Sequence, residues 1–123
     1  MGANLLKELI INIRTFAQKR DWDQFHSPKN LAMALSVEVA EVVEHFQWLT
    51  AEESNSLPAD KIKRVKEEIG DVMIYLTRLA DRLGIDPVQA AEDKMRINEK
   101  KYPVEKAKGN AVKYTDFETH DGS

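Results

Sequence analysis

Apolar residues in this chain recur at intervals of three and four, and nowhere does apolar–polar alternation run far enough to make a strand. That periodicity is the strongest constraint on the fold, because it calls for helices that each bury one face. Leu5, Leu6, Leu9, Ile10, Ile13, Phe16 and Ala17 mark a first helix running to about Arg20. A polar loop, Asp21 to His26, follows it and carries two aromatics. Ser27-Pro28 supplies an N-cap and then proline at the first helical position, opening a second helix that runs to about Trp48. Thr50-Ala51-Glu52-Glu53 has the form of a capping box and predicts a short helical turn. A third long helix, from about Ala59 to Leu83, carries the band Ile62, Val65, Ile69, Val72, Leu76, Leu79 and Leu83, and Gly84 ends it where a left-handed cap belongs. Asp86-Pro87 starts a fourth helix that closes near Tyr102-Pro103. Residues 104–123 read as a loop or partly ordered tail. The expectation is an all-α bundle of four main helices over residues 1–103, followed by that tail.

Composition narrows the class. With 123 residues, 42% apolar and 32% charged, the chain can build one helical core and is neither a disordered tail nor a membrane protein. No apolar run nears the roughly 18 residues that span a bilayer, and no signal-peptide pattern is present, so a cytoplasmic protein is expected. The lack of cysteine excludes a disulfide framework, a thiolate nucleophile and a cysteine zinc site. A net charge of −3 argues against nucleic-acid partners, despite a basic stretch at Lys100, Lys101, Lys106 and Lys108. The apolar breadth of the third helix exceeds what one neighbour covers and predicts a homodimer or homotetramer.

Carboxylates occupy positions where such helices should be apolar. On a wheel of ~100° per residue, Leu31 and Leu49 fall about 20° from Glu38 and Val42 about 40° away, with His45 about 20° to the other side. Glu38 therefore sits inside the apolar stripe of the second helix, and Glu41 borders it. A carboxylate facing a core is costly unless it is neutralised or met by a cation. On the third helix Glu68 and Asp71 stand three residues apart on the flank of the apolar band, so both can reach one point beside the helix. Taken alone, that second pair reads as a solvated face balanced by Lys61, Lys63, Arg64 and Lys66 rather than as a site. Taken together, the two acid-x-x-acid pairs could converge four like charges, which requires a counter-ion. Hard divalent cations suit oxygen ligands, with Mg²⁺ usual where phosphates complete the shell. Such a site permits metal-assisted phosphoryl or pyrophosphoryl transfer to water.

Other metal and nucleotide chemistries fail on spacing. A di-iron bundle wants Glu-x-x-His on two helices, but Val42 stands three before His45, and His26 and His120 fall in predicted loops. No EF-hand loop, phosphate-binding glycine loop or dinucleotide fingerprint is present.

The motifs resemble those of the MazG-like all-α nucleoside triphosphate pyrophosphohydrolases, most closely the dCTP pyrophosphatase type. The resemblance runs from Arg20-Asp21-Trp22-Asp23-Gln24-Phe25-His26 through Pro28-Lys29-Asn30-Leu31 and Glu38-Val39-Ala40-Glu41 to Phe46-Gln47-Trp48. It resumes at Glu67-Glu68-Ile69-Gly70-Asp71-Val72, Tyr75-Leu76, Lys94-Met95, Asn98, Tyr102-Pro103 and Lys113-Tyr114-Thr115-Asp116. It implies hydrolysis of deoxynucleoside triphosphates to monophosphate and pyrophosphate in the service of pool sanitation. Glu38, Glu41, Glu68 and Asp71 would be the catalytic metal ligands, for Mg²⁺ with Mn²⁺ able to substitute. It also implies that Trp22, His26, Trp48, Tyr75, Lys94, Asn98 and Tyr102 bind the substrate, with Lys94, and Lys29 or Arg96, on the phosphates. Spacing allows Lys94, Asn98 and Tyr102 to share one ridge of the fourth helix. Two rivals stand beside this reading: a non-catalytic helical interaction module, and an enzyme of the same fold acting on dUTP or phosphoribosyl-ATP.

Overall fold

A computed structural model of the chain describes residues 2–111 and residue 115. Lys113, Tyr114, Asp116 and His120 of the sequence reading, with most of the expected tail, lie outside the described residues. The described elements are helices: α1 (Gly2–Lys19), a 3₁₀ turn (Asp23–Phe25), α2 (Pro28–Glu44), α3 (Ala51–Ser54), α4 (Ala59–Arg82), α5 (Pro87–Lys101) and α6 (Val104–Ala107). Two compact units divide them, Met1–Ile85 and Asp86–Ser123. Among the described residues no helix is long and apolar enough to cross a membrane.

Local chemistry fixes the helix ends. The Ser27 side chain accepts from Asn30 N, Thr50 and Glu53 form the reciprocal capping box, and Asp86 accepts from Val88 N and Gln89 N. At the end of α4, Gly84 adopts φ +69° while Ile85 N bonds Ala80 O at 2.8 Å and Gly84 N bonds Asp81 O at 3.1 Å, a Schellman cap. The end of α1 closes the same way without glycine. Asp21, at φ +55°, takes the left-handed position, and Trp22 N bonds Ala17 O at 2.9 Å. That cap folds Trp22 back over the helix it follows.

In the first unit α2 and α4 make the principal packing and α1 lies against α4. The α2–α4 pair is antiparallel: His45, just past the end of α2, approaches Glu68 early in α4, whereas His26, just before α2, bonds Arg78 late in α4. Arg14 joins α1 to α4 with a two-pronged fork on Asp81, Nε–Oδ2 at 2.8 Å and Nη2–Oδ1 at 2.5 Å. Among the described residues the buried positions are few: Ala17, Leu31, Thr77, Arg78 and Ala80.

Three details differ from the sequence expectation. α2 stops at Glu44, not near Trp48, because His45 N turns to Val42 O and Val43 O and the chain continues as a turn through Leu49. Residues 104–107, expected as loop or tail, form a helical turn whose opening carbonyl, on Pro103, accepts from Lys106 N and Ala107 N. The predicted band of α4 splits. Val65, Val72 and Leu79 are half-buried, whereas Ile62, Ile69, Leu76 and Leu83, seven residues apart, are 42–56% exposed. α4 thus directs Glu68 and Tyr75 inward at positions that an apolar count assigned to its flank.

In the second unit α5 carries Lys94 and Asn98, and Tyr102 caps it by donating its N–H to Asn98 O at 2.8 Å.

Candidate metal and nucleotide site

Glu38 and Glu41 leave α2 one helical turn apart, and Glu68 and Asp71 leave α4 in the same way. Antiparallel packing sets the two pairs face to face. One carboxylate oxygen from each of the four lies within 4.8 Å of the other three. Glu38, Glu41 and Glu68 are half-buried and Asp71 is exposed. Oε2 of Glu38 and Oε2 of Glu68 are shielded from solvent and have no hydrogen-bond partner among the described residues. Of the first unit's basic groups, His45 reaches the cluster, with Nε2 3.9 Å from Glu68 Oε1.

This crowding raises carboxyl pKa values. Glu38 is pushed above its ordinary value, first by burial and then by a hydrogen bond with Glu41 and the charges of Glu41 and Asp71. Glu68 is pushed up to about 7, first by a hydrogen bond with Glu41, then by burial and the surrounding negative charge. Shielded oxygens without partners, in an all-oxygen set of four, are the donor chemistry of a hard divalent cation. The residues fit such an ion. Of the adjacent acids on α4, Glu68 joins the cluster, while Glu67 is exposed and stands outside it.

Beside the cluster lies a cavity of about 210 Å³, walled by Ile13, Phe16 and Ala17 of α1, Trp22, His26, Leu31 of α2, and Asp71, Ile74, Tyr75 and Arg78 of α4. Trp22 meets Phe16 edge-on at 5.6 Å between centroids and His26 at 6.2 Å. Whole-ligand pockets run to roughly 300–1,000 Å³, so this cavity is small beside them. Asp71 belongs to both the acid cluster and the cavity wall.

Trp22, His26 and Tyr75, singled out in the sequence, therefore come together on one wall. Trp48 does not join them. It sits in the turn beyond the shortened α2 with 87% of its surface exposed. Lys94, Asn98 and Tyr102 belong to the second unit, where Arg96 is held by Asp93 at 2.8 Å. Sequence reasoning missed Arg78, which is 5% exposed and bonded to Asp23 and His26. Its signal was present: Asp71, Tyr75 and Arg78 are spaced by four and three along one helical face.

Antiparallel helices that converge two acid-x-x-acid pairs beside a partly aromatic cavity define an all-α protein with a four-carboxylate cluster that could hold a metal ion. The chain belongs to the MazG-like family, whose model matches residues 33–117. It is 46% identical over 104 residues to dCTP pyrophosphatase 1 of Mus musculus, with 83% of this chain and 61% of the mouse protein covered. Against the Homo sapiens protein of the same name the identity is 44% over the same length and coverage. The chain thus spans about three fifths of these relatives. A crystal structure of a pyrophosphatase from Archaeoglobus fulgidus superposes with a TM-score of 0.75 at 44% identity, covering 79% of this chain and 91% of that one.

Proposed function

We propose that the protein is a Mg²⁺-dependent nucleoside triphosphate pyrophosphohydrolase that cleaves deoxynucleoside triphosphates, dCTP or a close analogue first among them, to monophosphate and pyrophosphate. The observation that carries this reading is the double membership of Asp71, which puts a small cavity and a cation-binding cluster one residue apart. Similarity to proteins named dCTP pyrophosphatase 1 supports the substrate class.

Each group in the first unit has a task in this reading. Phe16, Trp22 and Tyr75 enclose the base and exclude water from its faces. Glu38, Glu41, Glu68 and Asp71 would hold Mg²⁺, or Mn²⁺ in its place. When bound, such an ion supplies positive charge to phosphate oxygens and acidifies water. Crowding by the neighbouring acids pushes the Glu68 carboxyl up to about 7, so proton and cation compete for it and cation affinity should rise with pH. Lys94, Asn98 and Tyr102 are assigned to the substrate on the family resemblance. In the overall reaction a water oxygen bonds to the α-phosphorus, the bond from α-phosphorus to bridging oxygen breaks, and pyrophosphate leaves. The row Ile62, Ile69, Leu76 and Leu83 supports a homodimer or homotetramer, because a lone chain leaves it in water.

Incubation with each dNTP and Mg²⁺, with both products quantified, tests the activity. Monophosphate and pyrophosphate should appear in equal amounts. Glu41→Gln and Asp71→Asn should abolish both while circular dichroism stays unchanged. Turnover retained in both variants, or release of inorganic phosphate, contradicts the assignment.

A further inference from the structure

Arg78 is a buried guanidinium with more partners than a structural ion pair needs. Its Nη2 donates to Asp23 Oδ1 at 2.5 Å, its Nη1 lies 3.6 Å from Asp81 Oδ2, and its Nε donates to His26 Nδ1 at 3.4 Å. Asp81 is also held by Arg14, which bonds both of its carboxylate oxygens. The guanidinium is therefore clamped between an acid of the 3₁₀ turn and an acid of its own helix, with its Nε aimed at the imidazole. Guanidinium nitrogens carry only donors, and arginine does not deprotonate in a protein. A ring nitrogen that accepts from it cannot carry a proton. With Nδ1 accepting in this orientation, the single proton of a neutral His26 falls on Nε2.

We propose that Arg78 is a positioning residue that fixes His26 as the Nε2–H tautomer, giving the aromatic cavity one fixed donor that selects an acceptor atom on the base edge. The proposal rests on the reading of that cavity as the base site. Around His26 the charged groups are Asp23 of the 3₁₀ turn and Arg78 and Arg82 of α4, whereas α1 and α2 contribute Phe16 and Leu31 to the same cavity. Burial, followed by the Arg78 charge, holds His26 below its ordinary value, in line with a ring that stays neutral. Apolar walls alone discriminate weakly between rings of similar size, whereas a fixed donor penalises a base edge that offers no acceptor.

Long-range ¹⁵N–¹H NMR of the histidines in the full chain at pH 7 reads the tautomer without turnover. Nδ1 of His26 should resonate as a bare ring nitrogen and Nε2 as a protonated one. Arg78→Met should give a mixture of tautomers and move the titration of His26 up toward 6.5. A mixture in the wild type, or an unaltered pattern in Arg78→Met, overturns the proposal. Should Arg78→Met fail to fold, the pair His26→Gln and His26→Asn decides, because only glutamine carries an amide nitrogen out to the Nε2 position. KM for the preferred dNTP should rise roughly tenfold more in the asparagine variant than in the glutamine variant. Equal rises, or the opposite order, overturn it. A wild type that releases pyrophosphate from no dNTP refutes the proposed function instead, and the NMR result still decides the role of Arg78.

Discussion

Replacing Glu38 by glutamine should make the metal-free protein more stable and the metal-loaded protein less so. Glu38 has an oxygen shut off from water with no partner, and its nearest neighbours are three more carboxylates within 4.8 Å. At that separation and an effective dielectric of about 20, one ionised neighbour repels it by about 3 kcal/mol. The exposed Asp71 edge admits solvent and screens part of this, leaving a net gain of ~1–2 kcal/mol for the neutral isostere. Glutamine and glutamate have nearly equal helix propensities, so α2 itself is not perturbed. For a chain of this size the gain corresponds to a rise in Tm of about 5 °C in EDTA at pH 8. Saturating Mg²⁺ should reverse the order. At a hundredfold excess over Kd, a cation bound only by the native cluster stabilises the wild type by about 2.7 kcal/mol, and the variant forfeits most of that. Thermal unfolding of both proteins in EDTA and in saturating Mg²⁺ should therefore give crossing stabilities. A variant less stable than wild type in EDTA, with an equal response to Mg²⁺, would refute an inward-facing, repelling cluster.

The remaining expectations are simpler. Glu38 and Glu68 have pKa values raised by folding, so the metal-free native state binds protons more tightly than the unfolded chain. Its stability should fall as pH rises from the ordinary carboxyl value of 4.5 through about 7, and a scan in EDTA showing a rise across that window contradicts the burial of these groups. Thr77 is 1% exposed and its Oγ1 has no partner, so Thr77→Val should stabilise by ~1 kcal/mol in urea unfolding. A loss instead would mean that the hydroxyl has a partner in solution. Asp21 holds φ +55°, where a side chain is strained by roughly 1 kcal/mol. Asp21→Gly should be neutral to slightly stabilising and Asp21→Val destabilising by more than that strain; equal effects would remove the left-handed cap that seats Trp22.

The long helices and the ends that carry caps were legible in the sequence because caps are local: Ser27-Pro28, Thr50 with Glu53, Gly84, and Asp86-Pro87 each act within one turn of backbone. So was the anomaly of Glu38, since helical periodicity alone puts it among Leu31 and Val42. Spacing also offered the second pair, Glu68 and Asp71, and the resemblance added the family and the assignment of both pairs to one ion. Where α2 stops was not legible, because His45 to Trp48 keep a helical pattern while their backbone bonds tighten into a turn. Nor could spacing tell which half of the α4 band faces inward. That choice belongs to α2, whose approach half-buries Glu68 and Tyr75 and leaves Ile69 and Leu76 in water. The cavity and the Arg78–His26 contact join residues 52 positions apart and exist only once α1, α2 and α4 are packed. Periodicity specifies faces and caps specify lengths, both set by neighbours along the chain; which faces meet, and hence which acids share an ion or which arginine sets a histidine's proton, is decided by contacts between distant segments.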